Sequence, residues 1–298
     1  MKKTVVEIKD MEKLSPIFRG KTGNRLAKLV MRLFAIDKVN WVYGRSCDYT
    51  GSAFAGSLLN DLGAHYCIGN PEQLKHLPEG AFITISNHPY GGLDGIMLVD
   101  LIAGIRKDYK LMVNQFLSLA ESMDENFIPV QPRVGKRNTD PTAAGINGIR
   151  ETLTHLKGGH PVGFFPAGAV SMFRFKNLAV KDREWQKSII RLIQVAKVPV
   201  LPIRFMDYNS RFFYFLGIIN WRVRSLRMPF ELFNKQKHSP RISIGKIITV
   251  EEQQQFSDFK SLGEFLRKSI YDMPKPASFT PRTILDFSGK SMDQSGIK

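Results

Sequence analysis

Short apolar runs that alternate with helix-like stretches constrain the fold of this 298-residue chain most strongly. Helix-like sequence follows each of the first four runs. Strands joined through helices form mostly parallel sheets, because a parallel connection has to cross over the sheet. The chain is therefore predicted to adopt an α/β fold with a mostly parallel central sheet flanked by helices. The runs are AFITIS (81–86), YKLMVN (109–114), FIPV (127–130), PVGFFP (161–166) and VPVLPIRF (198–205).

The two ends of the chain lack this alternation. Near the start, GNRLAKLVMRLFAI (23–36) predicts an amphipathic basic helix. After residue 273 the chain becomes rich in Pro, Ser, Lys and Gly without periodicity. We therefore expect an N-terminal helical extension over 1–70 packed on the core, one α/β domain over 71–272 and a loose C-terminal tail over 273–298. The predicted helix has an apolar face (Leu26, Leu29, Val30, Leu33) and a basic face (Arg25, Lys28, Arg32).

The net charge of +16 predicts an anionic partner. Within 204–246, basic residues are interleaved with aromatic ones, a mixture suited to an anionic bilayer interface or to stacking on single-stranded nucleic acid. No short nucleic-acid-binding signature is present, so we expect a membrane surface and no nucleic acid. No apolar run is long enough to span a bilayer, which predicts peripheral attachment. The residues are Arg211, Arg222, Arg224 and Arg227 with Phe212, Phe213, Tyr214, Phe215, Trp221 and Phe230.

One stretch, SNHPYGGLDG (86–95), carries most of the chemistry. It follows a predicted buried strand, at the carboxyl edge where open α/β sheets bind ligands. Gly91 and Gly92 permit a tight reversal that can return the Asp94 carboxylate to His88. A carboxylate on one imidazole nitrogen fixes the tautomer and leaves the other nitrogen as a general base. The alternative is a turn histidine with a purely structural role.

The string NHPYGGLD resembles the His/Asp signature of the glycerolipid acyltransferase, or PlsC-like, superfamily. Five residues separate His88 from Asp94, whereas that family usually has four. The NHPxGxxD form with the longer spacing is similar to a branch of lysophospholipid-acyltransferase-like proteins. That branch includes hemolysin-like proteins and the O-acyltransferases that make ornithine and glycine lipids.

Three further blocks follow in the family order. FIPV (127–130) matches the second block but lacks its FIDR or FVxR form, which puts a phosphate-bearing acceptor in doubt. FFPAG (164–168) resembles the third block, FPEG, with alanine in place of glutamate, and VPVLP (198–202) resembles the fourth. The resemblance implies acceptor or oxyanion contacts from Asn87, Gly91, Gly92, Arg133, Lys136, Arg137, Phe165, Pro166 and Gly168, and acyl-chain contacts from Val198, Pro199 and Pro202.

The resemblance implies an O-acyltransferase in which His88 deprotonates a lysolipid hydroxyl and Asp94 orients the histidine. The acyl donor would be an acyl carrier protein or coenzyme A thioester, and no bound cofactor or metal is expected. A lyso-aminolipid or lysophospholipid acceptor is favoured, and the enzyme would sit peripherally on the cytoplasmic face of the inner membrane. The alternatives are a 1-acylglycerol-3-phosphate acyltransferase and a non-catalytic basic protein that binds membrane or nucleic acid.

Overall fold

A computed structural model describes residues 3–114, 121–130 and 143–285. Helices dominate both ends of the chain and separate the strands in its middle. Within the described ranges the α-helices are α1 (Ile8–Leu14), α2 (Gly20–Leu33), α3 (Ile36–Ser46), α4 (Gly51–Asp61), α5 (Gly92–Leu98), α6 (Ala143–Lys157), α7 (Lys187–Ala196), α8 (Arg211–Ile219), α9 (Trp221–Leu226), α10 (Met228–Phe233), α11 (Val250–Gln254) and α12 (Phe259–Tyr271).

An eight-stranded sheet forms the centre of the molecule, in the order β10-β1-β9-β8-β2-β5-β3-β4, and β6 and β7 form a separate antiparallel hairpin. Strand pairing in the large sheet is parallel except for β1 with β10 and β8 with β9. The predicted α/β fold with a mostly parallel sheet is thus confirmed. The strands are β1 (Cys67–Gly69), β2 (Ile83–Ser86), β3 (Lys110–Asn114), β4 (Phe127–Val130), β5 (Val162–Phe164), β6 (Met172–Arg174), β7 (Ala179–Lys181), β8 (Val200–Phe205), β9 (Arg241–Ile244) and β10 (Thr280–Pro281).

Two apolar cores cover the two faces of this sheet. Strand β2 is buried on both sides because its side chains alternate between them. Ile83 and Ile85 join the core formed with α6, α7 and α12, whereas the core on the other face contains residues of α3, α4 and α5. The adjacent strands β5, β2 and β8 run parallel, so the loops that follow them meet at one edge of the sheet.

Most of the apolar face predicted for the N-terminal helix points outward, whereas Val30 packs against the small core around Ala27 and Met31. Helix α2 buries Gly23, Ala27 and Met31, and it leaves Leu29 and Leu33 more than 60% exposed. The small residues face inward because the backbone of α2 approaches residues 17 and 18 closely at Gly23. None of the helices in the described ranges combines the length and apolar character needed to span a bilayer.

Both ends of the chain contribute strands to the sheet. Strand β1 lies within the range expected to be a helical extension, yet it pairs with β9. Residues 273–285 lie within the range expected to be a loose tail, yet β10 pairs with β1 and Arg282 Nε lies 3.0 Å from Asp100 Oδ2. The sheet therefore crosses both boundaries drawn from the sequence, because short edge strands lack a periodicity of their own.

Candidate active site

The loop between β2 and α5 carries the His88 and Asp94 pair. Gly91 turns this loop with φ of +83°, a conformation that costs a residue with a side chain. Helix α5 begins at Gly92, which places Asp94 in its first turn. Oδ2 of Asp94 accepts hydrogen bonds from the backbone N–H of Tyr90 at 2.9 Å and of Gly91 at 3.0 Å. The Asp94 carboxylate therefore stabilises the turn before α5, and the same two hydrogen bonds hold the carboxylate in place.

The reversal brings the two side chains together. Nδ1 of His88 lies 2.8 Å from Oδ2 of Asp94. The Asp94 side chain is fully buried and that of His88 is 16% exposed. Burial raises the pKa of the Asp94 carboxyl, and the contacts with His88, Tyr90 and Gly91 lower it by a smaller amount. A carboxylate at Nδ1 selects the tautomer in which Nε2 can accept a proton.

Phe165 packs flat on the His88 ring. The ring centroids are 4.0 Å apart and the planes are tilted by 26°. Phe165 stands in the loop after β5, at the position the sequence assigned to acceptor or oxyanion contacts. Its ring restricts the imidazole to one orientation, so the structure gives it a positioning contact with the histidine.

The main chain of His88 is held from the hairpin side by two residues that sequence reasoning missed. Its N–H donates to Oδ1 of Asp182 at 3.2 Å, and its carbonyl accepts from the N–H of Ser171 at 2.8 Å. Ser171 Oγ also donates to Asp182 Oδ1, and both residues are buried. Asp182 follows β7 directly, and no local sequence signal connects it with a loop 94 residues earlier.

The neighbouring loop residues are held from the other side by the last residue of β8 and by the segment that follows β8. Asn87 exchanges two hydrogen bonds with the backbone of Phe205, at 2.9 and 2.8 Å. Tyr214 donates its hydroxyl to the Pro89 carbonyl at 2.9 Å, and Asn209 donates to the carbonyl of Tyr90. Asn87 thus braces the loop, and its amide is already engaged, which opposes the acceptor contact expected for it.

A buried ion pair lies behind the loop. Glu231 accepts hydrogen bonds from Ser210 and Asn234, and Lys235 Nζ lies 3.6 Å from its carboxylate. Burial raises the pKa of Glu231, but these partners outweigh burial and hold the pKa below its usual value. Burial lowers the pKa of Lys235, and Glu231 and Asp94 partly restore it. Lys235 Nζ also lies 5.0 Å from the centre of the Tyr90 ring, so this cation faces the loop.

A cavity of about 540 Å³ extends from His88 into the molecule. Its wall near the histidine includes Gly91, Gly92, Phe165 and Gly168. The rest is mainly apolar and comes from the N-terminal segments, α4, α5 and the strands. It includes Val42, Phe54, Leu58, Leu62, Ile96, Leu111, Val113, Met123 and Phe127. An apolar cavity with His88 in its wall suits a fatty acyl chain next to the imidazole.

Several predicted site residues lie away from this cavity. Val198 and Pro199 stand before β8, at the end of the strand opposite His88, and Pro202 is buried within the strand. None of these three lines this cavity, and the acyl-chain contacts expected of them stay a prediction. Strand residues face the two cores, so an apolar strand sequence does not itself indicate a lipid pocket.

Only part of the third sequence block, FFPAG (164–168), lies at the cavity. Pro166 is buried beside it, and its carbonyl accepts from the N–H of Gln186. Gly168 lines the cavity, but its N–H donates to the Phe165 carbonyl at 2.8 Å. The predicted cations Arg133, Lys136 and Arg137 lie outside the described residues. Among the described residues, no three His, Cys, Asp or Glu side chains group closely enough to hold a metal ion.

The chain is similar to two curated proteins over most of its length. The lyso-glycine lipid O-acyltransferase of Bacteroides thetaiotaomicron is 27% identical over 249 residues, which cover 80% of this chain and 85% of that protein. The lyso-glycine lipid O-acyltransferase of Phocaeicola vulgatus is 24% identical over 279 residues, which cover 89% and 94%.

A solved structure, the 1-acyl-sn-glycerophosphate (LPA) acyltransferase PlsC from Thermotoga maritima, is similar with a TM-score of 0.49 and 13% identity, over 83% of this chain and 86% of that chain. The family model described as Acyltransferase matches residues 11–277. This match confirms the resemblance drawn from the NHPYGGLD and FFPAG motifs. Because it spans most of the chain, the protein belongs to this acyltransferase family and is an acyltransferase.

Proposed function

We propose that the enzyme moves a fatty acyl group from an acyl thioester to the hydroxyl of a lyso-aminolipid, with His88 as general base and Asp94 as its orienting carboxylate. The observation that carries the proposal is the 2.8 Å approach of His88 Nδ1 to Asp94 Oδ2 at the end of an apolar cavity. Neither residue needs to form a covalent intermediate, because the acceptor supplies the attacking oxygen.

The proton and bond balance of the reaction is simple. Nε2 of His88 takes the proton of the lysolipid hydroxyl while the oxygen forms a bond with the thioester carbonyl carbon. The C–S bond then breaks, and the imidazolium returns the proton to the departing thiolate. The Asp94 carboxylate stabilises the imidazolium during the step, as in Ser-His-Asp enzymes. In this scheme the products are the diacylated lipid and a free thiol.

The oxyanion that forms on the thioester carbonyl needs hydrogen-bond donors that do not already have another acceptor. The N–H groups of Gly91 and Gly168 are engaged with Asp94 and with the Phe165 carbonyl. Gly92 lines the cavity at the first position of α5, where a helical N–H has no partner within its own helix. We therefore propose the N–H of Gly92 as an oxyanion donor in place of that of Gly168.

The acceptor and donor classes rest on separate grounds. The two curated relatives are named for lyso-glycine lipid, which makes that lipid our first choice of acceptor. The donor is proposed to be an acyl carrier protein or coenzyme A thioester, since the first is acidic, the second carries phosphates and this chain has a net charge of +16. We also propose peripheral attachment to the cytoplasmic face of the inner membrane.

The test is an acyl-transfer assay with purified protein. Palmitoyl thioesters of acyl carrier protein and of coenzyme A are each combined with lyso-glycine lipid, lyso-ornithine lipid, lysophosphatidylethanolamine or lysophosphatidic acid, and products are identified by mass spectrometry. We expect a lyso-aminolipid to give the highest kcat/KM of the four acceptors. Preference for lysophosphatidic acid would assign the alternative acyltransferase activity, and absence of turnover with all pairs would favour a non-catalytic binding protein.

A further inference from the structure

We propose that the β6–β7 hairpin tip and the outer face of α8 and α9 form one lipid-contact surface that inserts into an anionic bilayer. This inference depends on the proposed function in one respect, namely that the lipid which enters the enzyme from this surface is the lysolipid substrate. We call this set of residues the docking surface. Its exposed apolar side chains are Phe175, Leu178, Phe212, Phe215, Ile218, Ile219, Trp221, Val223 and Leu226.

The exposure of these side chains is unusual for a protein surrounded by water. Phe175 is 67% exposed and Leu178 is 78% exposed at the hairpin tip, and Ile219 and Trp221 are 65% and 57% exposed. Helix α8 packs beside β6, so the two parts are neighbours. Adjacent exposed apolar side chains of this number mark an interaction site.

The charges around these side chains select the partner. Residues 171–181 and 208–230 contain seven Lys or Arg residues and no Asp or Glu. Trp and Phe side chains with basic neighbours match the headgroup region of an anionic membrane, where rings enter the interface and cations meet phosphates. An apolar partner protein would satisfy the aromatic residues but would leave this concentration of positive charge unbalanced.

The docking surface contacts the loop between β2 and α5 that carries His88, which we call the catalytic loop. Ser171, which precedes β6, donates to the His88 carbonyl, and Tyr214 of α8 donates to the Pro89 carbonyl. Met228, just after α9, lines the cavity and closely approaches Gly91. A lipid that enters from this surface therefore arrives at the end of the cavity where His88 lies.

The arginines that the sequence analysis grouped together differ in their contacts. Arg224 Nη1 donates to the Ser171 carbonyl, and Arg227 Nε lies 3.7 Å from the buried Glu231 carboxylate. Arg222 is exposed, and its guanidinium carbon lies over the Trp221 ring, 5.5 Å from the ring centre. Neutralising Arg222 should therefore weaken membrane binding by about fivefold, whereas changes at Arg224 should act on the catalytic loop.

Helix α2 offers a second exposed apolar face, with Leu29 and Leu33. Like the docking surface, α2 carries cations (Lys21, Arg25, Lys28 and Arg32) and no Asp or Glu, so charge alone does not distinguish the two surfaces. None of the contacts described above links α2 to the catalytic loop. The variant Leu29→Asp/Leu33→Asp therefore serves as the competing surface in the experiment.

The experiment compares the wild-type chain with three variants, of which Leu29→Asp/Leu33→Asp is one. Phe175→Asp/Leu178→Asp places charges at the hairpin tip, and Asp tolerates the left-handed backbone of Leu178 (φ +46°) better than most residues. Val195→Asp is the matched control, since Val195 is 66% exposed on α7, near the opposite end of the sheet from His88. Binding is measured by co-sedimentation with phosphatidylglycerol and phosphatidylcholine vesicles over a salt series, and thermal unfolding checks each fold.

We expect wild type to prefer phosphatidylglycerol vesicles, and the tip variant to bind them at least about tenfold more weakly. Val195→Asp should bind like wild type. Unchanged binding by the tip variant, equal loss in Val195→Asp, or loss confined to Leu29→Asp/Leu33→Asp would overturn the proposal. A dimer that only the tip variant dissociates, with vesicle binding unchanged, would overturn it in favour of self-association.

Measurements of enzymatic activity distinguish a failure of this proposal from a failure of the proposed function. Turnover of a vesicle-embedded lysolipid should fall with vesicle binding in the tip variant, whereas turnover of a short-chain, monomeric lysolipid should stay at the wild-type level. If no lysolipid is acylated by wild type, the proposed function fails, and the co-sedimentation result still decides the docking surface.

Discussion

The carboxylate of Asp182 accepts a hydrogen bond from the main-chain N–H of His88, with an N–O distance of 3.2 Å, across 94 positions of the sequence. The same oxygen accepts from Ser171 Oγ, and Trp185 Nε1 lies 3.4 Å from the other carboxylate oxygen. Asp182 does not line the cavity and so acts on the reaction only through the position of His88.

Removal of this carboxylate should lower kcat and leave KM nearly unchanged. Asp182→Ala frees the His88 main chain, and a displacement of about 1 Å costs about 100-fold in rate. Asp182→Asn keeps an acceptor oxygen for His88 and should stay within about tenfold of wild type. Steady-state kinetics on protein corrected for its folded fraction measure the effect.

The matched control is Asp258→Ala, which removes a carboxylate that also accepts two backbone N–H bonds, at the start of α12. Its loss should lower the unfolding free energy slightly, with no change in kcat. A positioning role for Asp182 fails if Asp182→Ala behaves in the same way.

Adjacent glycines in the catalytic loop should respond very differently to alanine. Gly91 has φ of +83°, and a Cβ there would lie 2.7 Å from Met228 Sδ. Gly91→Ala should lower the unfolding free energy by about 1–3 kcal/mol and reduce kcat, since the Gly91 N–H holds Asp94. A Cβ at Gly92 meets no atom within 4 Å, so Gly92→Ala should keep wild-type stability. Urea unfolding of both proteins decides the point, and equal stability would contradict the loop geometry.

The Phe165 ring should matter through the orientation of the imidazole. Phe165→Leu removes the stacked contact, which is worth about 1 kcal/mol, and should lower kcat about fivefold. Phe165→Tyr keeps the ring and should restore most of the rate. Measurement of kcat for both variants provides the test; similar losses in Leu and Tyr would show that shape, and not stacking, is what the site requires.

Glu231 should make stability depend on pH in the acidic range. Its pKa in the folded chain is below the ordinary Glu value, so its stabilising contribution is complete above that ordinary value and is lost as pH falls through the lowered value. Glu231→Gln should cost about 3 kcal/mol at pH 7, because it leaves Lys235 buried without its charge partner.

Urea unfolding at pH 7 and at progressively lower pH measures this contribution. The difference between wild type and Glu231→Gln should shrink as the wild-type carboxyl becomes protonated. Glu264→Gln, at an exposed position of α12, is the control and should show no such trend. A difference that stays constant with pH would contradict the assignment.

The sequence was most informative where function depends on local geometry. Gly91 and Gly92 predicted a reversal between His88 and Asp94, and alternating strands and helices predicted the sheet that carries the loop. Asp182 escaped prediction because its contact is non-local. Which way the apolar face of α2 points stayed open, because periodicity identifies two faces of a helix without saying which one meets the core. Val198, Pro199 and Pro202 do not line the cavity, because apolar strand residues serve a core as readily as a pocket, and their acyl-chain contacts stay a prediction.

The most direct test of the account is the rate of acyl transfer from an acyl thioester to lyso-glycine lipid by purified wild type, His88→Ala and Asp94→Asn. Circular dichroism and urea unfolding identify correctly folded protein, and mass spectrometry quantifies the diacylated product. The account predicts that His88→Ala stays folded and loses about 10²–10⁴-fold or more in kcat, and that Asp94→Asn loses most of the rate. Turnover by His88→Ala at the wild-type rate would contradict it.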